Sequence, residues 1–159
     1  MLNFKLLLLV VVANGAPVLA WDLLRDRYAR PVDAGRRFYD GRPWLGASKT
    51  WRGLIASLAM TTATAPLLGL PWHTGLMIAL AAMAGDLLSS FSKRRLGIET
   101  SARAMGLDQI PESLLPLLVV KDRYGLRWED IVLLVALFFI LEVTISPLLY
   151  HLGIRKRPY

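Results

Sequence analysis

Five apolar runs, joined by polar connectors, limit the folds open to this chain of 159 residues more than any other feature. A helix needs about 20 predominantly apolar residues to cross the hydrocarbon core of a bilayer. Residues 2–20 make one such run, interrupted by Lys5 and Asn14, and residues 53–71 make a second. Residues 74–92 form a third, polar in its final third, and residues 128–150 form the last, WEDIVLLVALFFILEVTISPLLY. The remaining run, 107–120, is apolar only in its second half. It crosses only if its polar start also lies at membrane depth, where protein or a water-filled cavity must surround it. The expectation is an all-α integral membrane protein forming one domain over residues 1–159. It has about five transmembrane helices, the fourth short or broken.

Charge sets the orientation. The chain is 55% hydrophobic yet carries a net charge of +7. Its cations cluster between apolar runs rather than covering a soluble face, which argues against nucleic acid and for membrane lipid headgroups or a polyphosphate ligand. With the N-terminus outside, segments 22–52, 87–107 and 151–159 lie inside and hold 8, 4 and 3 Lys/Arg, leaving 4 outside. A cleaved secretory signal at residues 1–20 would invert that split, against the positive-inside rule. The first run is therefore read as a true span of the cell inner membrane. Two basic loops and the C-terminus are then cytoplasmic, and the loops adjoin the polar ends of spans three and four. Cysteine is absent, which excludes disulfides and thiolate chemistry. The sequence leaves a homo-oligomer open.

Three stretches carry chemistry. AAMAGDLLSSFSKRRLG places Asp86 inside a span, and on a helix Asp86, Ser89 or Ser90, Lys93 and Gly97 share one face. An ionisable residue inside a span is a functional candidate by default. The alternative is that Asp86 pairs with a cation at the interface and ends the helix, and that Lys93, Arg94 and Arg95 only signal topology. DAGRRFYDGRPWLGASKTWRG looks at first like a phosphate-binding loop, but Lys49 does not directly follow Gly46. What remains is Lys49, Thr50 and Arg52 at the mouth of a helix, where phosphate binds readily, or else a loop touching headgroups. In GLDQIPESL, Asp108 either caps a helix entering at Pro111 or converges with Asp86 on a hard cation such as magnesium. Zinc is unsupported, since His73, read as a loop residue, and His151 lie in distant segments.

ANGAPVLA, DGRPWLGASKTWRG, GDLLSSFSKRRLGI and LDQIPESLLPLL together resemble the CDP-archaeol synthase (CarS-like) family of membrane CTP-dependent cytidylyltransferases, with a more distant likeness to CDP-diacylglycerol synthases. The likeness spans nearly the whole chain and reads as a bacterial-type member. It implies a five-helix membrane bundle that transfers CMP from CTP to a lipid phosphate, releasing pyrophosphate and leaving a CDP-lipid. It further implies that Asp86 and Asp108 hold Mg2+ and that Lys49, Arg52, Lys93, Arg94 and Arg95 grip triphosphate or lipid phosphate. Asn14, Thr50, Ser90 and Gln109 would then orient the nucleotide or its loop. Two departures, the connector ETSARAMG and the Pro111-Glu112 pair after Asp108-Gln109, fall near where lipid would enter. They leave the lipid open between an isoprenoid ether, a diacyl glycerol phosphate and another lipid phosphate, with Glu112 standing as a displaced carboxylate. A catalytically silent scaffold that binds nucleotide or lipid with the same fold is the alternative.

Overall fold

The computed structural model describes residues 1–100, 102 and 104–151, with side chains to Thr144. The expectations placed on segment 151–159 fall outside the described side chains. The chain forms five helices, α1 (Leu2–Leu24), α2 (Trp51–Leu67), α3 (Trp72–Arg95), α4 (Gln109–Tyr124) and α5 (Trp128–His151). Apart from two isolated bridges, Pro31 with Thr50 and Arg37 with Pro43, no β-structure occurs among the described residues. The helices follow the apolar runs, with two informative differences. Helix α3 does not end at Asp86 but continues to Arg95, and its last turn holds all three cations, where they complement the helix dipole. Helix α4 is short at 16 residues but unbroken. By length and composition α1 and α3 suffice to cross a membrane.

Helix α3 is central, packing on α4, α2 and α1, while α1 also meets α5. Small residues allow these approaches. A Cβ on Gly75 would lie 2.4 Å from the Thr61 carbonyl of α2, and one on Gly85 would lie 2.3 Å from the Pro111 carbonyl of α4. Glycine at such crossings is the habit of helices packed in lipid, where close van der Waals contact replaces the hydrophobic drive. Large apolar side chains also point outward along the helices, among them Phe4, Ile55, Leu67, Leu80, Val132 and Ile140. An apolar surface of that extent marks a partner or a membrane.

Two internal prolines show how the bundle satisfies its backbone. Pro17 has no N–H to give to Ala13, and the Ser57 hydroxyl of α2 donates to that freed carbonyl at 2.7 Å. Pro116 likewise frees the Glu112 carbonyl, towards which Asn14 Nδ2 of α1 points at 3.5 Å. In lipid every such group needs an internal partner.

The bundle is polarised end to end. Leu6, Leu9, Val10, Ile78, Leu117, Val120, Ile131, Leu134 and Phe138 form one apolar cluster. The opposite end is polar. Where α3 begins, His73 is part of the helix rather than a loop, and Thr74 is fully buried and hydrogen-bonded to the Tyr124 hydroxyl at 2.7 Å. The α2–α3 connection is tight enough that α3 starts at Trp72 and has already turned Thr74 inward.

Candidate functional site

The polar end encloses a cavity of about 700 Å3, walled by α1, α2, α3, α4, α5 and the loop that precedes α2. That loop is a built structure. The Asp33 carboxylate accepts N–H groups from Gly35, Leu45 and Gly46 at 3.0, 2.9 and 2.9 Å. Burial pushes the Asp33 carboxyl up, but these backbone donors outweigh it and hold its pKa below the ordinary value. Gly46 sits at φ 98 with Thr100 so close that a Cβ would meet its hydroxyl at 2.8 Å, so both its conformation and its space demand glycine.

A second clasp holds the loop to α3. Arg95 pairs with Asp40 at 2.6 Å, donates to the Pro43 carbonyl, and lies over the rings of Phe38 and Phe91. Arg42 returns the contact by donating to the carbonyls of Arg94 and Arg95. Arg95, expected to grip phosphate, is therefore spent on this clasp and does not line the cavity.

The other expected residues do line it: Asn14, Lys49, Thr50, Arg52, Asp86, Ser90, Lys93, Arg94, Asp108 and Gln109. Lys49 Nζ meets Asp86 at 2.5 Å, and Lys93 Nζ meets Asp108 at 2.6 Å. Burial pulls the Lys49 ammonium down, but Asp86, Glu112 and Asp108 outweigh it and hold its pKa above the ordinary lysine value. Lys93 and Arg94 are 7% and 4% exposed, which a purely topological signal does not require. Arg94 reaches Thr100 Oγ1 and the Glu99 carbonyl. Asp108 makes no side-chain cap of α4; beyond Lys93 it accepts from the Ala104 N–H. Thr50 caps a different helix, α2, where its hydroxyl accepts from the Gly53 N–H. Gln109 accepts from the Gly106 N–H at 2.8 Å and so shapes the turn into α4.

Among the polar and aromatic lining residues, sequence reading passed over Trp21, Asp26, Ser48, Thr100 and Glu142. Glu142 had a signal, being an ionisable residue inside an apolar run. Trp21 and Asp26 had none, because they sit at the ragged end of α1 among other exposed polar groups.

The donor set can be tested against magnesium. Asp86 and Glu112 lie within hydrogen-bonding reach of each other. Two carboxyl groups so placed need a proton or a cation between them. No ready cluster of three acidic or histidine ligands exists among the described residues. Magnesium does not need one, since it takes one or two carboxylates and completes its shell with waters and phosphate oxygens. The set fits, with Glu112 as the carboxyl that meets Asp86.

Comparison with known proteins bears on the family and the fold. The family model described as CarS-like, CDP-archaeol synthase, matches residues 6–159. A CDP-archaeol synthase of Aeropyrum pernix is 37% identical over 97% of this chain and 89% of its own length. One from Sulfurisphaera tokodaii is 32% identical over 94% and 90%. One from Hyperthermus butylicus is 43% identical over 63% of this chain, which spans 60% of that relative. A solved structure described as an intramembrane enzyme for archaeal membrane lipids biosynthesis superposes with a TM-score of 0.78 at 36% identity, covering 89% of this chain and 90% of that one. These relatives are archaeal, so the bacterial-type expectation is not borne out. With the match running from the first helix to the last residue, and the matched fold the same bundle, the chain belongs to the CDP-archaeol synthase family.

Proposed function

We propose that this protein transfers CMP from CTP to a lipid phosphate, releasing pyrophosphate and leaving a CDP-activated lipid. The observation that carries the reading is the meeting of Lys49–Asp86 and Lys93–Asp108 in one cavity at the polar end of a bundle whose outer surface is apolar. A lipid phosphate can hold its chains in the membrane while its headgroup reaches that end. The relatives' name makes an isoprenoid ether the first lipid to try.

The reaction suits these residues. An oxygen of the lipid phosphate attacks the α-phosphorus of CTP, and the bond from that phosphorus to the bridging oxygen of the β-phosphate breaks. The attacking oxygen is already anionic, so no general base is required. Catalysis then rests on in-line positioning and on neutralising the triphosphate. Lys49, Arg52, Lys93 and Arg94 supply fixed positive charge, whereas Asp26, Asp86, Asp108, Glu112 and Glu142 face the same space. Four cations against five carboxylates cannot balance two anionic substrates. Mg2+, held by Asp86 with Glu112 or Asp108, would supply the missing positive charge at the phosphates. Five crossings, with the N-terminus outside and the cavity open to the cytoplasm, belong to the same proposal.

The test is purified protein incubated with labelled CTP, Mg2+ and a panel of isoprenoid-ether, diacyl and single-chain lipid phosphates. Pyrophosphate release together with a labelled lipid product supports the reading. Nucleotide binding without turnover on any lipid would leave a silent scaffold instead.

A further inference from the structure

Helices α1 and α2 pack side by side, and each carries an apolar stripe on its outer face. On α1, Leu19 and Leu23 are exposed one helical turn apart, and on α2, Trp51 and Ile55 are exposed at the same spacing. Both stripes stop at the polar end of the bundle. Leu23 is the last residue but one of α1, and Trp51 is the first of α2. Exposed tryptophan at the end of an apolar stripe belongs at the headgroup level of a bilayer.

Arginines follow at that level. After α1 the chain reads RDRYAR, residues 25–30, all of them exposed. Arg25 is taken up by Asp22 at 3.0 Å and by the Trp21 ring, and Asp26 lines the cavity. Arg27 and Arg30 line no part of the cavity and enter no ion pair among the described residues. Tyr28 stands exposed between them. Their backbone is not a free strand. The Arg30 carbonyl accepts from the Trp51 N–H at 3.1 Å, the Val32 N–H donates to the Lys49 carbonyl at 2.8 Å, and Arg52 donates to the carbonyls of Arg25 and Arg27. Two uncommitted guanidinium groups are thus tethered beside Trp51, where the apolar stripes end.

We propose that Arg27 and Arg30, with Leu23, Tyr28 and Trp51, form a docking site for one resident anionic phospholipid of the surrounding membrane. Its phosphodiester meets the two guanidinium groups, whose planar donors match phosphate oxygens in pairs. Its chains lie along the stripes of α1 and α2. Apolar contact of that kind favours any lipid, whereas each cation near an anionic lipid surface adds about fivefold. The stripes therefore set retention and the arginines set headgroup preference. Docking here is independent of cytidylyl transfer. A lipid held there would brace the cavity wall from outside, because Asp26 and Ala29 of the same segment line the cavity.

The experiment is native mass spectrometry of the full-length protein in detergent, titrated with phosphatidylglycerol or with phosphatidylcholine. Both are phosphodiesters, so neither can act as a lipid-phosphate substrate. Wild type should hold its first phosphatidylglycerol at least about fivefold more tightly than phosphatidylcholine. Arg27→Gln with Arg30→Gln should bring the two lipids within about twofold, the cations being the source of the preference. Arg36→Gln with Arg37→Gln removes the same charge from the part of the loop that is clasped to α3, and should leave the preference as in wild type. Trp51→Ala should weaken both lipids alike. Inorganic phosphate at the same concentration as the lipid should displace neither. Equal binding of the two lipids by wild type overturns the site. Equal loss of preference from the two arginine pairs overturns it as well, since net charge alone would then govern binding. Displacement by inorganic phosphate, or unchanged binding in Trp51→Ala, would leave an anion site without a lipid. Helical circular dichroism checks that the variants fold, and all four arginines lie in exposed loop.

Discussion

Lys49 and Asp86 come from different parts of the chain and meet in a largely enclosed place, so each is the condition for the other. Removing one member of a buried pair leaves an uncompensated charge and costs about 3–5 kcal/mol. Asp86→Asn should therefore lose at least about a hundredfold in turnover, and Lys49→Met a similar factor, with thermal stability lowered in both. The double variant should be little worse than either single one, because both losses strike the same interaction. Pyrophosphate release and thermal inactivation in detergent measure the two effects. Fully additive losses would show that the residues act separately. Glu112→Gln separates their roles further: if Asp86 and Glu112 hold one cation, the variant should need several times more Mg2+ for half-maximal rate while its nucleotide affinity without metal stays near wild type.

Helix α3 carries most of the site, and its glycines decide how near α2 and α4 come. A methyl on Gly85 would strike the Pro111 carbonyl, and one on Gly75 would strike Thr61, both backbone contacts that cannot swing aside. Overpacking of this kind costs about 1–3 kcal/mol. Gly85→Ala should cost activity beyond its effect on stability, because it shifts the start of α4, which bears Glu112, away from Asp86. Gly75→Ala should cost stability with most activity kept. Gly15, where an added methyl would meet nothing within 4 Å, is the control: alanine there should be neutral or stabilising by up to about 1 kcal/mol. Thermal inactivation of the three variants measures this. The loop before α2 offers a pH test. The pKa of Asp33 is lowered in the fold, so its contribution is complete above the unfolded value near 3.8 and fades as pH falls through the lower folded value. Asp33→Asn should therefore loosen the loop by a constant amount from about pH 5 to 8, a difference that shrinks only in strong acid. Protease nicking between residues 33 and 46 reads it.

Across the bundle, the apolar cluster and the cavity occupy opposite ends, and a CTP-dependent site must open to the side where CTP is found. A cysteine at Ser48, exposed in the cavity loop, should resist a membrane-impermeant thiol reagent in sealed cells and react once the membrane is opened. A cysteine at Asp122, whose side chain is 99% exposed near the end of α4, should react without opening. Thr74 would make a poor reporter, being buried against Tyr124. Labelling at Ser48 in sealed cells would reverse the proposed orientation.

Apolar runs of this length and spacing admit few alternatives to helices, so the five elements and the acidic and basic residues at their polar ends were legible before any fold was known, although by length and composition only α1 and α3 among the described residues suffice to cross a bilayer. Periodicity likewise placed Asp86, Ser90 and Lys93 on one face. Partnership was not legible, because it depends on which helices touch. Nothing in the local sequence says that Arg95 is spent on Asp40 and two phenylalanines while its neighbour Arg94 faces the cavity. Nor does it say that Asp108 pairs with Lys93 rather than capping α4, or that Glu112 is the carboxyl that meets Asp86. Asn14 shows the reason most plainly. Read alone it is a polar residue in an apolar helix and so a ligand candidate; in the fold it lines the cavity, its amide donates to Val10 of its own helix at 3.0 Å, and it also points at 3.5 Å to a carbonyl that Pro116 freed on α4, a contact that exists only once α1 and α4 lie side by side.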